Sequence, residues 1–158
     1  ANALVQASEK TGQETIGRLD FIGQKIRIEK PEIPTGAPPE FVKEVSGAGK
    51  LSLDFHFRPG NAQLDSKSLA DLDGLVELLA NPTYQQRHLL VLGFSDNGGD
   101  ASRNLALSKE RAKAVAEQLQ MRGITPSLVN GYGKDVPIAS NKKEDGREKN
   151  RRVEVWLR

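Results

Sequence analysis

The chain has 158 residues, 23 of them basic and 21 acidic, for a formal net charge of +2. That balance gives no electrostatic reason to expect nucleic-acid binding, and the absence of cysteine excludes disulfides, cysteine-based zinc sites and thiol catalysis. Hydrophobic residues make up 37% and charged residues 28%, which suits one soluble globular domain with an appendage, and no apolar run approaches the roughly 18 residues of a membrane span.

The chain opens ANALVQ, with no initiator Met, basic n-region or apolar h-region. It therefore reads as a mature chain or a piece of a longer protein, with any signal or anchor upstream. Residues 1–20 are polar with scattered apolar positions and admit a short helix. FIGQKIRIEK (21–30) alternates Ile26 and Ile28 against Arg27 and Glu29, the pattern of a short half-exposed strand. PEIPTGAPPE (31–40) holds four of the eight prolines. It is expected to be neither helix nor central strand, and to serve as a linker or a surface arm.

From Lys50 the patterning becomes regular. LSLDFHF (51–57) alternates as a strand with one apolar face. A turn follows, with Asp65 or Ser66 as N-cap, and then a helix carrying Leu69, Leu72, Leu75 and Leu79, stopped at Asn81-Pro82. HLLVLGF (88–94) is a continuous apolar run, suited to a strand buried on both faces. Asp100 or Ser102 caps the next helix, which runs to about Arg122 and ends at Gly123. SLVNGYG (127–133) is a weaker strand. DVPIASNKKEDGREKN is a polar loop with room for one helical turn, and RRVEVWLR (151–158) is a final strand. The order β-α-β-α-β-loop-β predicts an α+β fold: a four-stranded mixed sheet with helices packed on one face. The direction of the last strand stays open.

The junction GFSDNGGD between the second strand and second helix invites catalytic readings, and none completes. A nucleophile elbow needs glycine where Asn97 stands, and its histidine downstream; His56 and His88 both precede Ser95. The glycine spacing fits neither phosphate-binding loop, and the acids lack the alternation of a calcium loop. At about 100° per residue, Ala112, Ser108 and Leu119 lie within about 60° of Val115 on the small or apolar stripe, and Lys109, Glu110, Lys113 and Glu117 lie on the far side. Arg111 sits only about 40° from Val115. An inward guanidinium needs an anionic partner, and Asp96, at the carboxyl end of the buried strand, is the candidate. Two readings remain from spacing alone: an internal Asp96–Arg111 salt bridge, or a split clamp for a zwitterion, carboxylate to ammonium and guanidinium to carboxylate.

The same residues resemble the OmpA-like C-terminal peptidoglycan-binding domain of outer-membrane proteins, peptidoglycan-associated lipoproteins and flagellar stator proteins. Its pattern G-H-T-D-x-x-G-x-x-x-x-N-x-x-L-S-x-x-R-A is matched without a gap at Gly93, Asp96, Gly99, Asn104, Leu107, Ser108, Arg111 and Ala112. A second block is matched at Gly131, Gly133, Pro137, Ser140, Asn141, Arg147, Asn150, Arg151, Arg152, Val153 and Glu154, and FRPGNAQLD is similar to the family's F-x-x-G-S-A-x-L. Phe94, Ser95 and Arg103 depart from the family's His, Thr and aromatic residue; Arg103 would put a second cation at the rim.

The resemblance covers residues 50–158 and implies a non-catalytic periplasmic module of the Gram-negative envelope. It would tether its parent, inner- or outer-membrane anchored, to the cell wall. Asp96 and Arg111 would grip the free amino and carboxylate end of meso-diaminopimelate in the peptidoglycan stem peptide. Ser95, Asn104, Leu107 and Arg151 would support them. By strand alternation Arg151 shares the inner face of Val153 and Val155, which leaves Arg152 as a surface charge. No cofactor, metal or nucleic acid is implied. The alternative is the same fold used as a periplasmic protein-interaction module. Residues 1–49 are expected to be an extension and Pro-rich linker, either the tail of an upstream domain or an arm anchored by Phe21, Ile26, Phe41 and Val42.

Overall fold

The computed structural model describes residues 26–158 and, for its backbone alone, the short strand Glu14–Thr15. The helix and Phe21 anchor considered for the first 25 residues otherwise lie outside the described residues. Strands are β1 (Glu14–Thr15), β2 (Arg27–Glu29), β3 (Gly49–His56), β4 (Leu89–Gly93), β5 (Leu128–Gly131) and β6 (Arg152–Leu157). Helices are α1 (Pro39–Val45), α2 (Ser66–Leu79), α3 (Ala101–Met121) and α4 (Glu144–Asn150).

The sheet order is β1-β2-β3-β6-β4-β5. β4 and β5 are parallel, joined across α3, and the other neighbours are antiparallel. The expected four-stranded mixed sheet is thus β3-β6-β4-β5, and β2 and β1 extend its edge. The last strand inserts antiparallel between β3 and β4, which settles its direction and makes it central.

Period-2 alternation divides β4 and β6 between two cores. On one face Val91, Val153, Val155 and Leu157 meet Leu72 and Leu75 of α2 and Ala112, Val115 and Leu119 of α3. On the other, Leu90, Leu92, Phe94 and Trp156 meet Phe41 and Val45 of α1, with Tyr132 and Val136. The caps fall where the side chains demand: Asp65 accepts from Ser68 N at 2.8 Å and Asp100 from Arg103 N at 2.7 Å.

α1 corrects the end of the proline-rich stretch, whose residues 31–38 are neither helix nor strand, as expected. Pro38 is its N-cap and Pro39 its first residue. A helix start has no use for that N–H, so proline's missing donor costs nothing there and its fixed φ is already helical. Phe41 sets its ring edge-on to Phe94, Tyr132 and Trp156, with centroids 5.8, 5.1 and 6.2 Å away. Of the arm's proposed anchors, Ile26 and Phe41 are buried and Val42 is 42% exposed.

That second layer also corrects Arg152, which is no surface charge. It is fully buried. Its Nε lies 2.8 Å from Glu154 Oε2, it donates to the Val136 and Asn150 carbonyls, and its guanidinium stacks 3.9 Å from the Phe94 ring centroid. Glu154 accepts from Trp156 Nε1 through its other oxygen, so every side-chain nitrogen and oxygen of the buried pair has a partner.

Candidate functional site

The site begins at the carboxyl end of β4. Ser95 donates its backbone N–H to Gly133 O at 2.9 Å and its hydroxyl to Asp96 O at 2.9 Å, fixing the loop. Asp96 Oδ1 accepts from Gly98 N at 2.9 Å, an Asx turn. Gly99, at φ +77°, supplies the left-handed residue that leads into the Asp100 cap.

Two glycines let α3 lie close over the sheet. Gly93 and Gly131 face one another in β4 and β5. A methyl group on either would overlap α3 at Ser108. Ser108 is itself buried and donates to Leu105 O at 2.7 Å while accepting from Gly133 N at 2.8 Å. The close approach carries Arg111, one turn further on, under the strand ends.

Arg111 is directed inward, as the helix geometry predicts, but its partners are not carboxylates. Nε donates to Asn61 O (2.9 Å), Nη1 to Phe94 O (3.1 Å) and Nη2 to Arg58 O (3.1 Å). The guanidinium also lies 5.4 Å from the Phe57 ring centroid. Burial pulls its pKa down to about 10, against the opposing pull of Asp96, so it stays cationic at neutral pH. The salt bridge to Asp96 comes from Arg151, Nη1 to Oδ2 at 3.0 Å. The direct Asp96–Arg111 pairing is therefore replaced: the two are electrostatic neighbours, each bonded elsewhere.

Arg151 ties three segments together. Besides Asp96, it donates from Nε to Phe57 O at 2.8 Å and from Nη2 to Glu144 Oε2 at 2.6 Å. Burial alone would lower its pKa; the bonds to Glu144 and Asp96 together outweigh this and raise it. Glu144 is held below the ordinary carboxylate range by its bonds to Arg151 and Arg147. Beneath them Asn150 is fully buried. It accepts from Ile138 N and Ala139 N and donates to Ala139 O and Asn141 Oδ1, so the loop before α4 is pinned.

These elements enclose an open cavity of about 370 Å³. Asp96, Asn104, Leu107, Arg111 and Arg151 all line it, together with Arg103, Glu144, Arg147 and the Pro59–Gly60 turn. Ser95 does not; it is buried behind the loop. Asn104 is only 4% exposed, and its Nδ2 has no hydrogen-bond partner. Arg111 forms the floor and is almost wholly buried. Glu144 and Arg147 are charged lining residues that the sequence reading did not place in the site. Their signal was present: Glu144, Arg147 and Arg151 have the i, i+3, i+7 spacing of one helix face, hidden in a segment read as loop. Among the described residues no group of three His, Cys, Asp or Glu is placed to hold a metal ion, and no helix is long and apolar enough to cross a membrane.

The fold and the two sequence blocks define an OmpA-like domain, and the chain belongs to the OmpA family, whose model matches residues 56–151. It is 34% identical over 108 residues to outer membrane porin F of Pseudomonas fluorescens, covering 67% of this chain and 32% of the porin. It is 46% identical over 67 residues to the peptidoglycan-binding protein ArfA of Mycobacterium tuberculosis, covering 41% of this chain and 21% of ArfA. The chain thus matches a third or less of the length of each. Among solved structures, the peptidoglycan-associated lipoprotein of Burkholderia pseudomallei superposes with a TM-score of 0.61 at 27% identity, over 66% of this chain and 89% of that one.

Proposed function

We propose that this cavity binds peptidoglycan through the diaminopimelate of the stem peptide and so tethers the parent protein to the cell wall from the periplasm. The observation that carries the reading is that Asp96 and Arg111 line one cavity whose wall holds the unpartnered amide of Asn104. Asp96 accepts the ligand's ammonium beside Arg151. A guanidinium has five N–H donors; Arg111 commits three to carbonyls, leaving two for a carboxylate, with Asn104 as a further donor. Leu107 walls the cavity, Ser95 fixes the loop and Arg151 holds Asp96 in place. Membership of the OmpA family and the likeness to a protein named as peptidoglycan-binding support the assignment.

Each charge-assisted hydrogen bond contributes about 1.5–3 kcal/mol before ordering costs. A single stem peptide is therefore held modestly, and retention in a polymeric wall comes from rebinding and multivalency. Binding alone is proposed, with no catalytic step. In this reading residues 50–158 carry the binding site of a membrane-anchored parent, and β2 and α1 of the preceding segment pack onto that domain.

A second reading, a protein-interaction module, draws on the buried state of Arg111 and the internal engagement of Asp96. Co-sedimentation with purified diaminopimelate-type sacculi separates the two. The wild-type chain pellets and Asp96→Asn stays in solution if the clamp operates; equal pelleting of both rules it out. Release of soluble wall fragments would point to an enzyme instead.

A further inference from the structure

Four guanidiniums and two carboxylates line the cavity. Three of the four are committed: Arg111 to carbonyls, Arg151 to Phe57 O, Asp96 and Glu144, and Arg147 to Glu144 and Asn141 O. Among the described residues, the side chain of Arg103 has no acidic or carbonyl partner. A ligand end carrying one ammonium and one carboxylate leaves this excess of positive charge unanswered. A ligand with a second carboxylate halves it and supplies an anion for Arg103.

Arg103, Leu107 and Arg111 follow one another at i, i+4 and i+8 on α3. They lie on one side of the helix, spread over about 80° and about 12 Å of axis. A cation therefore stands at each end of an apolar step. That order matches a carbon chain with a carboxylate at either end, its methylenes over Leu107. Diaminopimelate at the end of a stem tripeptide has this form: two carboxylates, one free ammonium, and its second nitrogen in the peptide bond.

We propose that Arg103 is a specificity residue that binds the main-chain carboxylate of a stem tripeptide ending in diaminopimelate. This inference rests on the peptidoglycan reading above and adds a preference for trimmed stems with a free terminal carboxylate. The contact forms at the exposed rim, so it adjusts affinity and selectivity; the grip itself stays with Asp96 and Arg111.

Calorimetric titration of the chain with two synthetic L-Ala-γ-D-Glu-meso-diaminopimelate tripeptides tests it, one with the main-chain carboxylate free and one with it amidated. Wild type should favour the free acid by about fivefold, the scale of one exposed ion pair. Arg103→Gln should bind the acid as weakly as the amide and leave amide affinity unchanged, with the same melting temperature as wild type. Arg103→Lys should restore part of the preference. Equal wild-type affinity for both peptides, or an undiminished preference in Arg103→Gln, overturns the Arg103 subsite and leaves Asp96-dependent binding standing. If the wild type binds neither peptide, both readings fall together.

Discussion

Asp96 is bonded to Arg151, Nη1 to Oδ2 at 3.0 Å, while Arg111 gives its donors to three backbone carbonyls. The carboxylate is thus oriented by a cation from the start of β6 before any ligand arrives. The same contact joins the loop after β4 to both ends of α4, because Arg151 caps that helix and also holds Glu144 at its start. An acidic group set in this way needs little reorganisation to meet an ammonium.

Asp96→Asn separates charge from shape. The amide oxygen can still accept from Gly98 N, and Arg151 keeps Glu144 and Phe57 O. The expected cost to stability is about 1–2 kcal/mol, measured by urea denaturation, together with loss of sacculus binding. Unfolding of this variant at room temperature would show that Asp96 is chiefly a structural residue.

Arg111 calls for the opposite caution. Its guanidinium bridges carbonyls of Arg58, Asn61 and Phe94, and an ammonium cannot copy that fork. Arg111→Lys should lower stability by about 2–4 kcal/mol through carbonyls left unpaired, seen as a lower urea midpoint with an unchanged m-value. Arg111→Ala therefore perturbs the fold before it reports on binding, which makes Asp96→Asn the cleaner probe.

Gly93→Ala places a methyl group into the Ser108 carbonyl of α3, backbone against backbone. Neither side has a flexible end to yield, so α3 must lift or rotate, at a cost above about 3 kcal/mol. Because α3 carries Asn104, Leu107 and Arg111, binding should fall in the fraction that stays folded. A two-dimensional amide spectrum with wild-type shifts along α3 would argue against this close approach.

Glu144 predicts a pH dependence. Its pKa is lowered from 4.5 by the hydrogen bond from Arg151 and then by Arg147. A lowered carboxylate pKa means that the unfolded chain takes up the proton first, so the contribution is fully present above about pH 4.5 and is lost as pH falls through the folded value. Glu144→Gln should lower the melting temperature slightly near neutrality and flatten its decline below pH 4.5 by the same small amount, since the carboxylate lies at the surface and its pairs are screened.

Much of this was legible in the residues. Alternation placed β3, β4 and β6, helical spacing placed α2 and α3, and the angular position of Arg111 near Val115 marked it as inward. Those features depend on local periodicity, which one chain carries in full. Of the residues lining the cavity, Asp96, Asn104, Leu107, Arg111 and Arg151 are legible as site candidates and Arg103 as a rim cation; Gly98, Gly99, Glu144, Arg147 and the Pro59–Gly60 turn are not.

The tertiary structure decided what periodicity does not encode. Arg111 meets carbonyls from a turn fifty residues earlier because β3 delivers that turn against α3, a relation between distant segments. Arg152 has the alternation of a surface residue and is fully buried, because Phe94, Glu154 and the loop at Val136 cover it on that face of the sheet. A strand's pattern tells which side chains share a face; only the layers packed around it determine whether that face meets water. The sequence by itself therefore determined which residues are available to the site, and the packing determined which cation holds Asp96.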